Sequence, residues 1–172
     1  MTSLVVSVIG TPVQQGSKVA NRFGHGVRDS NDRKLRPWRA EVSGTVAETM
    51  VATGWQTLDG PIEISLAFFH TRPAAHYGTG RNAGVLKPSA PYWKSTAPDI
   101  DKLTRAILDA LTDAAAIRDD ARVARLVAED RWADAAAGVR IVVAPLADPR
   151  PKPAASVAPA AGEPAQAEGA LF

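Results

Sequence analysis

Apolar and polar residues alternate without a break from Ile62 to Phe68, with Ile62, Ile64, Leu66 and Phe68 on one register and Glu63, Ser65 and Ala67 on the other. A period of two puts the first set on one face of a strand, so this segment predicts a β-strand turned toward a core. Leu4–Ile9 is rich in β-branched residues and ends at Gly10, which predicts a second strand rather than a secretory leader. The period then changes to that of a helix. Trp38, Val42, Val46 and Met50 follow one another at four-residue steps behind Leu35, and Gly54 offers a stop. The helix is expected to begin near Pro37, because proline in a first turn gives up no intrahelical hydrogen bond.

The strongest amphipathic pattern is Asp99–Thr112. Ile100, Leu103, Ile107 and Leu111 form one stripe, with Thr104 and Leu108 beside it and Asp99 placed as an N-cap after Pro98. Val123–Trp132 and Val139–Leu146 read as a closing β-hairpin around Ala135–Gly138, although the mixed pattern of the first also suits a helix. Thr11–Arg33 reads as a loop or an irregular hairpin. Thr71–Pro98 has no periodicity and is broken by Gly78, Gly80, Gly84, Pro73, Pro88, Pro91 and Pro98, so it is expected to be functional or disordered. Together these elements predict an α/β (α+β) fold, a mixed sheet with two main helices, as a single domain over residues 1–147. From Asp148 the composition turns to Pro, Ala, Gly and Glu, a tail (148–172) too poor in large apolar residues to offset its ordering entropy.

Composition adds little until charge is placed along the chain. The 172 residues carry a net charge of +2 and no cysteine, which removes disulfide frameworks and thiolate metal sites and fits a cytoplasmic protein. No stretch approaches the roughly 18 apolar residues of a membrane span. Between Lys18 and Arg39, however, there are seven basic residues and two acids, and Thr71–Pro98 holds Arg72, Arg81, Lys87 and Lys94 with no acid. The acids gather between Asp99 and Asp134. A basic surface beside an acidic pocket suits a protein that binds a phosphate backbone. Solvated loops would explain the same charges.

Asp99 and Asp101 open the helix, and Asp101, Arg105 and Asp109 fall one turn apart on the stripe away from the apolar face. Leu111 lies about 18 Å along the helix axis from Asp99. The chain from Leu111 to Asp120 can span at most about 30 Å, so Asp119 or Asp120 can return to the first pair. Carboxylates brought together repel unless a cation lies among them. A donor set of oxygens alone, without His or Cys, favours Mg²⁺, with Mn²⁺ possible. Such an ion can activate water against a phosphodiester, and Arg105 or Lys102 would offset charge on the phosphoryl group. A bare N-cap, a surface Asp101–Arg105 pair and an Asp119–Asp120 turn would account for the same residues structurally.

The run Pro98-Asp-Ile-Asp-Lys-Leu-Thr-Arg-Ala-Ile-Leu-Asp-Ala-Leu111, followed by Asp119-Asp-Ala-Arg-Val123, resembles the core motif of the RusA family of Holliday junction resolvases. That motif is Asp-x-Asp-Asn-Leu-x-Lys, then Asp-Ala-Leu, then Asp-Asp-x-x-Val. Asp99 and Asp101 match its first two acids, Asp109 that of Asp-Ala-Leu, and Asp119 and Asp120 the downstream pair. The order of elements from Leu4 to Leu146 agrees as well. The resemblance implies a homodimeric, Mg²⁺-dependent endodeoxyribonuclease that resolves four-way DNA junctions in recombination and repair. Asp99, Asp101 and Asp120 would be its metal ligands, Arg105 a catalytic cation, and Asp119, Asp109 and Lys102 would support them. Lys18, Lys34 and Arg39 fall where the family places a basic loop and helix, and with Arg72, Arg81, Lys87 and Lys94 they are the expected DNA contacts. Tyr77, Tyr92 and Trp93 could stack on bases exposed at a branch point. Two departures stand out: Lys102 replaces the family's Asn, and Arg105 its Lys, which keeps the charge but not the capacity to shuttle a proton. A branched-DNA-binding protein without activity, or a nuclease for other branched DNA, remains open on these residues.

Overall fold

The computed structural model describes residues 3–20 and 27–150, without the side chains of 18–20 and 27–29. Its elements follow in the order β1 (Leu4–Ile9), β2 (Lys18–Ala20), β3 (Val27–Asp29), α1 (Asp32–Thr53), β4 (Ile62–His70), α2 (Ile100–Asp113), β5 (Val123–Trp132) and β6 (Gly138–Pro145). The fold is the expected α+β domain, a mixed four-stranded sheet with two helices. The disordered tail expected from Asp148 falls mostly on residues 151–172, outside the described residues.

Strand β4 is central because both of its edges are used. It pairs in parallel with β5 and antiparallel with β6, and β6 pairs antiparallel with β1, giving the order β1-β6-β4-β5. The hairpin expected from β5 and β6 is therefore corrected: both strands exist where expected, but β4 lies between them. The five residues Ala133–Ala137 cross over β4 instead of folding into a tight turn. The unit β4–α2–β5 explains this, since two strands joined through a helix pair in parallel and β5 thus occupies the first free edge of β4. Where Gly138 opens β6, a Cβ would lie 2.2 Å from the Val8 carbonyl oxygen, so the close approach of β1 and β6 requires glycine. Among the described residues of Thr11–Arg33 are the short antiparallel pair β2–β3 and the first two residues of α1.

Both helices cover the same face of the sheet. Ile62, Ile64, Leu66 and Phe68 of β4, Leu4, Val6 and Val8 of β1, and Val139, Ile141 and Val143 of β6 bury against Trp38, Val42 and Val46 of α1 and Leu103, Ile107 and Leu111 of α2. Each such burial contributes about 1.5–3 kcal/mol. Helix α1 begins five residues before Pro37, which lies inside it. The extra turn is held by the Lys34 and Leu35 amides donating to the Asn31 carbonyl, by the Asp32–Arg36 pair at 2.8 Å and by burial of Leu35. The helix stops as expected at Gly54, whose φ of +67° is left-handed and favours a residue without a Cβ.

Candidate active site

Edge strand β5 and helix α2 leave a groove between them, and the residues that begin α2 are tied down from the amino-terminal loop. The Asp99 amide donates to Gln14 Oε1 at 2.7 Å, the Gln15 amide donates to the Lys102 carbonyl at 3.2 Å, and Gln15 Nε2 donates to Asp109 at 3.1 Å. Asp99 stands at the N-cap position, but its carboxylate caps no amide. It accepts instead from Lys102 Nζ at 2.7 Å, a bond that raises the Lys102 pKa above its ordinary value. Asp101 and Arg105 follow on the exposed face of α2.

The return of the chain to this end is built by the segment after α2. The Ala116 carbonyl accepts from Trp55 Nε1 at 3.1 Å and from the Leu58 amide at 3.3 Å, and the Arg118 amide donates to the Leu58 carbonyl at 2.9 Å. Asp59 then accepts both Arg118 and Arg122, tying the chain ahead of the single 3₁₀ turn at Asp120–Arg122 to the last residue of that turn. Asp119 caps that turn by accepting from the Ala121 amide at 2.8 Å. This bond, then a side-chain bond with Asp120, holds its carboxyl below the usual range.

Asp101, Arg105 and Asp120 consequently line one cavity of about 450 Å³, with Thr104, Leu108 and Leu126. Ile100 and Ala128 are shared with an adjoining cavity of about 570 Å³ that Asp99, Trp93, Lys94 and Asp130 line. The groove thus places two expected carboxylates and the expected cation together, with the third acid next door. No three His, Cys, Asp or Glu side chains lie close enough to hold a metal ion among the described residues. Two carboxylates suffice for Mg²⁺, which characteristically keeps several waters and takes its remaining ligands from substrate phosphate. The donor set therefore fits this ion.

Other expected site residues are occupied differently. Asp109 pairs with Arg39 at 3.2 Å and Arg39 also reaches Asp113, so these side chains join α1 to α2. Arg72 is buried and donates to the carbonyls of Ala133 and Pro91 and to Asp134. Lys94 is buried as well, bonded to the Thr96 carbonyl at 2.5 Å and to Asp130 at 3.1 Å. Both anchor the long loop, whose interior is ordered by Gly78 donating to Val85 and Lys87 to His76 through the backbone. Arg81, Lys87 and Lys34 are exposed, with Lys87 Nζ on the Ala75 carbonyl. The side chain of Lys18 lies outside the described residues.

Sequence reasoning missed Gln14 and Gln15, whose partners lie 85 and 94 residues away and leave no local signal. It also missed the buried group of Lys94, Asp130 and His70. His70 Nε2 and Asp130 Oδ1 approach to 2.8 Å, off the line of a directed hydrogen bond. Burial lowers the His70 pKa and Lys94 adds to this, while Asp130 opposes it. The alternation that predicted β4 continues to His70 and could have marked it as inward-facing.

No match was found among curated proteins. A family model described as endodeoxyribonuclease RusA matches residues 10–144, a span that takes in both helices, all of β4 and β5 and the groove with its three acids, and the chain belongs to the RusA endodeoxyribonuclease family.

Proposed function

We propose that the protein is a Mg²⁺-dependent, structure-selective endodeoxyribonuclease that resolves four-way DNA junctions by paired symmetric nicks in recombination and repair. The observation that carries this reading is the convergence of Asp101, Arg105 and Asp120 on one cavity beside Asp99, in a chain of the RusA family. Asp101 and Asp120, with Asp99 alongside, would hold the ion, which when bound polarises a phosphodiester and activates water. Arg105 forms no ion pair among the described residues. Its guanidinium is therefore available to two phosphoryl oxygens as charge builds on them. Lys102 offsets the charge of Asp99, and Asp119 fixes the turn that presents Asp120.

A homodimer suits this chemistry, because a two-fold pair of sites matches a nearly two-fold junction. The helix-free face of the sheet supports it. Val5, Val142, Ser65 and Val127 occupy adjacent register positions across all four strands, and Val5, Val127 and Ile9 are exposed there. Work on DNA in the cytoplasm fits a chain in which, among the described residues, no helix is long and apolar enough to cross a membrane. The test compares four-way junction, flap and linear duplex as substrates, with Mg²⁺ and with chelator. Mg²⁺-dependent cleavage confined to the junction is expected. Preferred cutting of flaps would reassign the substrate, and tight junction binding with no cut would mark a binding protein that lost activity with the Lys-to-Arg change at Arg105.

A further inference from the structure

The outer wall of the groove carries aromatic rings in an unusual setting. Tyr92 and Trp93 are 47% and 55% exposed, although burying such rings is a major source of stability. They are not on a loose loop. The Trp132 amide donates to the Tyr92 carbonyl at 3.1 Å and the Lys94 amide to the Asp130 carbonyl at 3.0 Å, so residues 92–94 add a short antiparallel rung to the free edge of β5 opposite Arg131. Beneath, Arg72 holds the Pro91 carbonyl and Lys94 holds Asp130. The rings meet edge to face, with centroids 4.8 Å apart. The Arg131 guanidinium lies 5.5 Å from the Tyr92 ring, 5.7 Å from that of Trp93 and 5.7 Å from that of Phe69, and donates to the Tyr92 hydroxyl at 2.7 Å.

We propose that Tyr92, Trp93 and Arg131 form a stacking platform for an unpaired nucleobase of the DNA strand that enters the acidic groove. Trp93 lines the same cavity as Asp99, which adjoins the cavity of Arg105, so a base on its ring belongs to a nucleotide close to the phosphate that Arg105 would contact. A rigid backbone, exposed π-faces and a cation are the combination that binds bases without reading sequence. Bases within a duplex have no free face to offer, so the platform selects strands whose bases have left the stack, as at a branch point. It rests on DNA being the ligand of the groove but not on cleavage.

The test uses the full chain in chelator, which prevents cutting. Three fluorescent probes are titrated: an oligothymidylate, a linear duplex, and a four-way junction carrying 2-aminopurine beside the branch. Trp93→Ala is expected to weaken single-strand and junction binding by about 5- to 150-fold and to leave duplex binding unchanged. Trp93→Phe, which keeps a ring, restores most of the loss. Wild type quenches the 2-aminopurine and Trp93→Ala does not. Equal losses on all three probes, or none with either Trp93→Ala or Tyr92→Ala, overturn the platform. So does a fall in oligomeric state on Trp93→Ala, which would assign the rings to an interface between copies of the chain. Quenching in a protein that cuts no junction would sink the resolvase reading and leave the platform standing. Normal junction cleavage with undiminished single-strand binding by Trp93→Ala would do the reverse.

Discussion

Replacing Lys94 by Met distinguishes an anchoring lysine from a DNA contact. Only 3% of the Lys94 side chain and 8% of that of Asp130 reach solvent. Removal of the ammonium leaves the Asp130 carboxylate buried without its cation and frees the carbonyls of Thr96 and Pro98 that Lys94 holds. Breaking a buried pair on one side costs about 3–5 kcal/mol, a large share of the roughly 5–15 kcal/mol that a domain of this size has. At a mid-range m-value this lowers the urea midpoint by about 2 M. The neighbouring imidazole moderates the loss. Lys94 is one of the groups that lower the His70 pKa. In its absence His70 takes up a proton more readily and can pair with Asp130, so the destabilisation is smaller at pH 6 than at pH 8. The double variant Lys94→Met/Asp130→Leu removes both charges and recovers most of the stability, since apolar replacements of buried pairs are often neutral or better. Urea unfolding followed by circular dichroism at both pH values measures all of this. A loss below about 1 kcal/mol for Lys94→Met, together with weaker DNA binding and a salt slope reduced by about one, would refute the anchoring role.

Four further outcomes are expected. Arg105→Met lowers junction cleavage by about 100-fold or more with little change in DNA affinity, and Arg105→Lys, which restores the family residue, retains activity; loss of activity in both would show that guanidinium geometry is required. Stability falls as the pH drops through the window below 6.5, the ordinary His value, because the unfolded chain binds a proton there that buried His70 resists. Stability is full above that value, and in His70→Phe the slope in this window should vanish. Gly138→Ala costs about 1–3 kcal/mol by forcing a Cβ against the Val8 carbonyl, measured as a shift of the thermal midpoint. Phe68→Ala, at the centre of the core with no exposed surface, costs about 3–5 kcal/mol by denaturant unfolding.

Periodicity was enough to place β1, α1, β4, α2 and β6, because each buries one face and the burial imposes its period on the residues, whereas β5 is exposed over most of its first half and kept the mixed pattern that also suited a helix. Pairing was harder to read. Strands β5 and β6 are neighbours in sequence and were expected to be neighbours in the sheet, yet the strand–helix–strand order of β4, α2 and β5 already implied a parallel pair. The start of α1 was missed because Pro37 fits a first turn, whereas tertiary burial of Leu35 and the Asn31 carbonyl extended the helix past it. At the groove, the convergence of Asp101, Arg105 and Asp120 on one cavity was legible from two short runs of sequence and the reach of the chain between them. The positioning set was not: Gln14, Gln15, Trp55, Asp59 and the Lys94–Asp130 pair act across long separations. Basic residues were also read too uniformly, since charge along a sequence does not separate an exposed Arg81 from a buried Arg72.

On the proposed reading, the groove between α2 and β5 hydrolyses DNA at a branch point. The decisive measurement uses a synthetic four-way junction labelled on each strand in turn and incubated with Mg²⁺, comparing the wild-type chain with Asp101→Asn. Paired nicks at symmetric positions on opposing strands, absent from Asp101→Asn although it still binds the junction, are the predicted result. Undiminished cleavage by Asp101→Asn would contradict the assignment of the groove, and an intact junction after incubation with the wild-type chain would contradict the activity itself.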